Sequence, residues 1–354
     1  MTRRPDSRWL LRVAGTLVLA LLAALACEQL GTPLPWMIGP LLVTALGCVA
    51  GLPLAAAGPL RNAGQWAIGT SLGLYFSPQV LALLGPLAPA LVAGIAWALL
   101  IGGLFAAALR RALPGVDPAT AHFAAAIGGA SEMAVLAERH GGRVDLVAAA
   151  HSLRVLLVVL IIPFGYQAAG LHGLDATPLA VRAVQPAGLA LLAAATAAGS
   201  LLVWRLGLPN PWVLGSLAVS AALSGAGVEL SALPGWVSHA GQLFIGVALG
   251  SRFNRRFVHT APRWLAAVAI GTLAMIAASG VFAWLLAQLI GLHWATVLLG
   301  TSPGGIAEMC ITAKVLQLGV PVVTAFHVVR YVAVLLLTGP MFRRRQQRLA
   351  GVGA

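Results

Sequence analysis

Long apolar runs separated by short polar stretches dominate the pattern of this chain. They cover roughly 9–28, 34–51, 60–76, 80–109 and 144–168, and, beyond a polar stretch holding Asp175, Thr177, Pro178 and Arg182, 186–204, 211–228, 235–250, 264–290 and 320–341. A helix needs about 20 apolar residues to cross the hydrocarbon core of a bilayer. Five runs on each side of the polar stretch therefore predict an all-α polytopic membrane protein of about ten transmembrane helices. Between the fourth and fifth run of each half lies one further segment, broken by paired glycines.

Those two broken segments are copies of each other. Residues 127–138 read IGGASEMAVLAE and 303–314 read PGGIAEMCITAK, which places Gly128, Gly129, Glu132, Met133 and Ala137 on Gly304, Gly305, Glu308, Met309 and Ala313, an offset of 176 (304 minus 128). At the same offset HSLR, His151 to Arg154, falls on HVVR, His327 to Arg330. Pro35-Trp36-Met37-Ile38-Gly39 matches Pro211-Trp212-Val213-Leu214-Gly215, and Gly64-Gln65 with Gly69 and Gly73 matches Gly241-Gln242 with Gly246 and Gly250 after one internal gap. The chain reads as a duplication, with a first membrane repeat over 1–170, a connecting loop over 171–185, a second repeat over 186–342 and a basic tail over 343–354. For the Pro-Trp pair and the repeated glycines the preferred reading is packing, because proline starts a helix without wasting an N–H and small residues let helices approach. An unwound pocket wall is the alternative.

Composition agrees with a bilayer. At 60% hydrophobic and 9% charged residues, the chain lacks the polar surface that covers a water-soluble globule. The net charge of +13 does not indicate nucleic acid, because most basic residues sit at the ends of apolar runs. The basic clusters at the termini are short: Arg3, Arg4 and Arg8, then Arg343, Arg344, Arg345 and Arg348. Arg110 and Arg111 follow the fourth run, whereas Arg252, Arg255, Arg256 and Arg263 precede its counterpart. If both clusters are cytoplasmic, those runs cross in opposite directions. An inverted five-plus-five arrangement with two glycine-broken re-entrant hairpins then leaves Arg182 outside and puts Arg61, Arg110, Arg111, Arg139, Arg143, Arg205, the Arg252 to Arg263 group and the C-terminal arginines, with both termini, in the cytoplasm of a bacterial inner-membrane protein. Residues 118–139 could just span as one helix of about 30 Å, but the central glycines favour two half-helices. The three cysteines, Cys27, Cys48 and Cys310, have no metal-ligand or disulfide spacing.

An intramembrane carboxylate is costly unless paired or hydrated, so the duplicated polar residues form the candidate site. It comprises Gly128, Gly129, Ser131, Glu132, His151 and Arg154, with Gly304, Gly305, Glu308, His327 and Arg330. Each glutamate falls in the first turn of a half-helix, where free N–H groups and the dipole favour an anion. His and Arg at i and i+3 share a helix face, and a Glu–Arg pair beside an imidazole would suit a proton relay or capture of an anionic solute. A glutamate that merely caps its half-helix, and a purely structural salt bridge, are the plainer readings. No Walker loop, dinucleotide fingerprint, G-x-S-x-G or metal-ligand cluster is present, so no cofactor, no metal and no enzyme activity is expected. The expected partners are the lipid bilayer and a small-molecule or ion substrate, with no nucleic acid; a homo-oligomer is left open.

The doubled unit, with PWMIGPLL near its start and GGASEM…HSLR echoed by PGGIAEM…HVVR, resembles the AbrB-type bacterial integral membrane proteins, which are built from two copies of one repeat. The resemblance covers nearly the whole chain. It bears no likeness to the soluble DNA-binding regulators of the same name. Members are labelled as regulators of gene expression or as candidate ammonia monooxygenases. The second label fits these residues poorly, since an oxygenase needs a redox centre and the duplicated set includes an arginine that repels metal ions. The expectation is a secondary transporter or exporter of a small anionic or weakly acidic metabolite, with proton coupling open. A membrane sensor acting indirectly on gene expression is the alternative.

Overall fold

A computed structural model describes residues 6–173, 183–253, 255 and 261–351. Arg3, Arg4, Asp175, Thr177, Pro178, Arg182, Arg256 and the side chain of Arg348 lie outside the described residues. Every regular element among the described residues is helical: α1 (Ser7–Gln29), α2 (Pro35–Ala50), α3 (Gly58–Gly73), α4 (Pro78–Leu84) with a single 3-10 turn, α5 (Ala88–Ala112), α6 (Pro118–Ala125), α7 (Ala130–Arg139), α8 (Val144–Ala168), α9 (Pro186–Arg205), α10 (Pro211–Gly225), α11 (Gly235–Gly250), α12 (Pro262–Ile290), α13 (Trp294–Thr301), α14 (Ile306–Leu316) and α15 (Val320–Gly351). The apolar runs expected from the sequence coincide with these helices, and the glycine-broken segments become the short pairs α6–α7 and α13–α14.

Among the described residues six helices are long and apolar enough to cross a bilayer: 7–29, 78–112, 144–168, 186–205, 262–290 and 320–347. The helices α2, α3, α10 and α11 have 15 or 16 residues, which gives about 24 Å at 1.5 Å per residue. They fall short of that length. Bare apolar side chains such as Leu11, Ile270 and Leu289, the last 82% exposed, require a hydrocarbon solvent. The chain is an integral membrane protein in element length and surface.

Proline opens α2, α6, α9, α10 and α12, where its missing N–H costs nothing. The residues before α2 and α10 adopt the same left-handed conformation, Leu34 at φ 48° and Asn210 at φ 49°. That conformation is unusual for a leucine, and it recurs at positions that the sequence alignment pairs. The Pro-Trp-x-x-Gly segments are helical from their prolines onward, which supports packing over an unwound wall.

The helices fall into two compact units, and each unit draws segments from both halves of the sequence. The first contains residues 1–83, 163–260 and 314–321, the second 84–162, 261–313 and 322–354. In the first unit glycines form the contact surfaces. A Cβ on Gly39 would lie 2.6 Å from the Ala23 carbonyl oxygen, and one on Gly215 would lie 2.7 Å from that of Gly199, so α1 meets α2 as α9 meets α10. Likewise Gly69 and Gly73 of α3 abut the backbone at Val213 and Leu217 of α10, while Gly246 and Gly250 of α11 abut it at Met37 and Leu41 of α2. In both cases a step of four on one helix matches a step of four on the other in the same direction, so the paired helices run parallel. Every one of these contacts has a partner at the aligned positions of the other half. Ser220 Oγ donates to the Thr70 carbonyl at 2.8 Å and Trp66 Nε1 donates to Thr196 Oγ1 at 3.0 Å, satisfying polar groups between helices.

In the second unit α5 and α12 pack antiparallel. Trp97 Nε1 donates to Ser279 Oγ at 3.2 Å, and further along α5 the Phe105 ring fills the space beside Gly271, earlier in α12. The core of this unit holds Phe123, Met133, Val147 and Val268, all fully buried. Trp264 Nε1 donates to the Leu146 carbonyl at 3.1 Å, tying α12 to the start of α8.

Candidate functional site

All the candidate site residues lie in the second unit. Their frame is the hairpin α6–α7. Asp117 caps α6, its Oδ1 accepting from the Thr120 N–H at 2.7 Å and its Oδ2 from the Thr120 hydroxyl at 2.6 Å. Thr120 Oγ1 in turn accepts from the Arg143 N–H at 2.6 Å. Arg143 follows α7, so the start of one half-helix and the end of the other lie side by side, and the Phe123 and His140 rings stand 5.3 Å apart between them. The tip is at Ala126–Gly129. Thr120→Val keeps the shape but removes both hydroxyl bonds, and is expected to cost about 1–3 kcal/mol. Faster amide exchange at Arg143 and its neighbours than in the wild type would report the loss; unchanged exchange would refute the role.

At the tip the glycines serve space rather than backbone freedom. Gly129 sits at φ −66° and ψ 135°, a conformation open to any residue. A Cβ there would run into the Glu132 carboxylate, and one on Gly305 would run into that of Glu308. Glu132 is the third residue of α7 and Glu308 the third of α14, and each carboxylate lies against the glycine at the N-terminus of its own helix. Each helix then begins with its first backbone bond to the glycine, Met133 N–H to Gly129 at 3.0 Å and Met309 N–H to Gly305 at 3.2 Å. Glu132 is half-buried and Glu308 is buried; Ser131 is exposed.

His151 and Arg154 serve the other side of the break. His151 Nε2 bonds the Phe123 carbonyl at 2.9 Å, and Arg154 donates from Nη1 to Ala124 O at 3.1 Å, from Nη2 to Ala126 O at 2.9 Å and from Nη2 to His151 Nδ1 at 2.7 Å. The second copy repeats this: His327 Nε2 to Leu299 O at 2.8 Å, Arg330 Nη1 to Ser302 O at 2.5 Å, Nη2 to Gly304 O at 2.7 Å and Nη2 to His327 Nδ1 at 2.9 Å. The guanidinium groups thus hold the carbonyls that end α6 and α13, instead of forming the Glu–Arg pair expected from the sequence. The reason is a backbone requirement. A helix interrupted within an apolar core leaves carbonyls without intrahelical donors, and a cation at that negative dipole end satisfies several at once. The same geometry fixes the imidazoles. Nε2 faces a carbonyl and must carry its proton, while Nδ1 faces a guanidinium donor and must present its lone pair, so both rings are neutral Nε2–H tautomers. This arrangement does not favour the relay of protons between Glu and His.

The two tips share one core. A Cβ on Gly128 would lie 3.2 Å from Val334 of α15, and one on Gly304 would lie 3.0 Å from Val158 of α8. These are again reciprocal positions, 334 minus 158 being 176. Two half-helix N-termini, each guarded by a carboxylate, therefore lie within one packed body, braced from behind by His-x-x-Arg.

A family model described as transition state regulatory protein AbrB matches residues 36–346. The chain belongs to the AbrB family. Within it the chain is similar to an uncharacterized protein, YhjN, of Bacillus subtilis (strain 168), at 27% identity over 88% of each chain. It is similar also to a candidate regulator AbrB of Escherichia coli (strain K12), at 25% identity over 92% of this chain and 94% of that one. The membrane-embedded helices described above make this AbrB chain the integral membrane type expected from its motifs.

One residue outside the candidate site is also tied down between helices. Lys314, the only lysine in a chain with 22 Lys and Arg, donates to Ser71 Oγ at 2.5 Å and Ser238 Oγ at 3.2 Å within the first unit. Its singularity was the available signal. The aligned position in the first half holds Glu138, which is exposed, so the repeat gives no hint of this placement.

Proposed function

We propose that this AbrB-family protein is a secondary transporter or exporter of a small anionic or weakly acidic metabolite, and not an enzyme. The observation that carries the reading is the pair of half-helix N-termini, each covered by its own glutamate, in one core. Each N-terminus is an anion site that the protein fills internally. Protonating Glu132 or Glu308 vacates it for a solute anion, which makes uptake or release of a proton part of anion exchange. The His-x-x-Arg pairs keep the breaks open by satisfying the carbonyls, so the N–H groups remain the exchangeable part.

The inverted five-plus-five arrangement is part of this proposal, with both termini cytoplasmic in a bacterial inner membrane. It is supported by the antiparallel packing of α5 against its aligned counterpart α12. It is supported also by the parallel packing of α3 with α10 and of α2 with α11, since consecutive crossings α2 and α3 run oppositely. The hairpin geometry of α6–α7 favours a segment that leaves by the face it came from. The descriptive name of the family and that of the Escherichia coli relative favour a second reading, a membrane sensor whose effect on transcription is indirect.

Purified protein in proteoliposomes carrying a pH-sensitive dye separates these readings. Small carboxylates such as succinate and lactate are expected to drive saturable proton flux, reduced at least tenfold in Glu132→Gln and Glu308→Gln while insertion is unchanged. Wild-type flux in both variants would mean that the glutamates only cap their helices.

A further inference from the structure

A second cluster of cations lies away from the hairpin tips and plays no part in the transport reading. A cavity of about 440 Å³ in the second unit is lined by Arg110, Arg111 and Arg345 together with Ala107, Pro114, Val116 and Pro118. No acidic side chain is among its walls. Among the described residues none of the three guanidiniums makes a hydrogen bond or ion pair, whereas Arg143, close to the same hairpin, is paired with Asp145. Three like charges converging on one cavity repel each other, and none of the described side chains in its walls is a counter-ion, which an anion supplies. Guanidinium forks match phosphate oxygens two at a time.

The position narrows the class of anion. Arg110 and Arg111 lie in the last turn of the span that ends at Ala112, and Arg345 lies just inside the end of the span that runs to Gln347. The cavity therefore sits where two apolar helices reach the membrane surface, at the depth of lipid phosphates. The rest of its wall is alanine, proline and valine, with no serine, threonine, asparagine or glutamine to bond a freely soluble polar metabolite. Apolar walls and guanidiniums together suit a phosphodiester attached to a glycerol backbone and acyl chains, and basic pockets beside transmembrane helices bind such headgroups. We infer that this cavity holds the headgroup of an anionic phospholipid, with charge enough for two phosphates. Pro118 is the first residue of α6, so the headgroup braces the base of the first hairpin.

The test uses the full chain in an uncharged detergent, its thermal unfolding followed with phosphatidylglycerol, cardiolipin, phosphatidylcholine or inorganic phosphate added at equal phosphate concentration. The two anionic lipids are expected to raise the unfolding midpoint, cardiolipin more, and phosphatidylcholine and phosphate to leave it unchanged. Arg110→Gln with Arg111→Gln and Arg345→Gln should remove at least half of the shift, whereas Arg61→Gln with Arg205→Gln and Arg263→Gln should keep it. Should the first triple variant fail to fold, Arg345→Gln alone, an exposed position, must weaken the cardiolipin shift. An equal shift in both triple variants would overturn the site. A shift from inorganic phosphate as large as that from lipid would overturn the assignment to a headgroup.

Discussion

Arg154→Met unfolds at a midpoint on the order of 5–10 °C below the wild type, and Arg330→Met does the same. The expectation follows from what each guanidinium holds. Removing Arg154 strands the Ala124 and Ala126 carbonyls and His151 Nδ1 in a site where the arginine is 2% exposed. Each buried acceptor left without a donor costs about 1–3 kcal/mol, so the sum is roughly 3–5 kcal/mol after relaxation, large for a single substitution. In a chain of this size each kcal/mol lowers the midpoint by about 2–4 °C or less. Lysine at either position keeps the charge but lacks the fork, and is expected to recover less than half of the loss. Thermal unfolding in detergent, with amide exchange over residues 123–130, measures both. A midpoint within 1 °C of the wild type for both methionine variants would remove the capping role, and with it the account of why His-x-x-Arg accompanies Gly-Gly-x-x-Glu.

Those paired motifs were legible in the sequence because burying a charge is expensive, so a duplicated Glu, His and Arg in apolar surroundings had to have an internal cause. Their partners were not legible. Sequence spacing shows that His151 and Arg154 share a helix face, but not that the face meets the end of α6, since that depends on how the chain folds back through Asp117, Thr120 and Arg143. Opposite charges suggested a Glu–Arg pair. The carbonyls at 124, 126, 302 and 304 won because a backbone acceptor cannot be relocated, whereas a carboxylate can turn to its own helix N-terminus. Paired glycines in a sequence suggest conformational freedom, yet Gly129 has an ordinary φ, and only the position of the Glu132 carboxylate reveals why a side chain is excluded. Helix positions were the most legible feature, because an apolar run of fixed length has few other uses. The division into two units was not, because it joins segments far apart in sequence that no periodicity connects.

The repeated glycines allow a sharper test than the polar residues, because the expected sign changes from one position to the next. Gly246→Ala is expected to destabilise the protein by about 3 kcal/mol, the upper end of what overpacking costs, since its Cβ would lie 2.5 Å from the Met37 carbonyl oxygen and 3.0 Å from Pro40 Cβ. Neither is a flexible side-chain end, so α2 and α11 must separate. Gly69→Ala meets the Val213 carbonyl oxygen at the same distance and should behave alike. Gly103→Ala and Gly280→Ala place a methyl where nothing stands within 4 Å, each inside a helix, and should stabilise by about 0.5–1 kcal/mol. The contrast matters because lipid is as apolar as leucine, so helices in a bilayer associate through close packing and not through the hydrophobic effect. Losing van der Waals contact along α2–α11 then has no compensating term, whereas the same methyl on a lipid-facing surface merely replaces an acyl contact. Unfolding midpoints of the four variants decide the matter. If Gly246→Ala and Gly103→Ala shift in the same direction by similar amounts, close backbone approach at the aligned glycines is not what joins these helices.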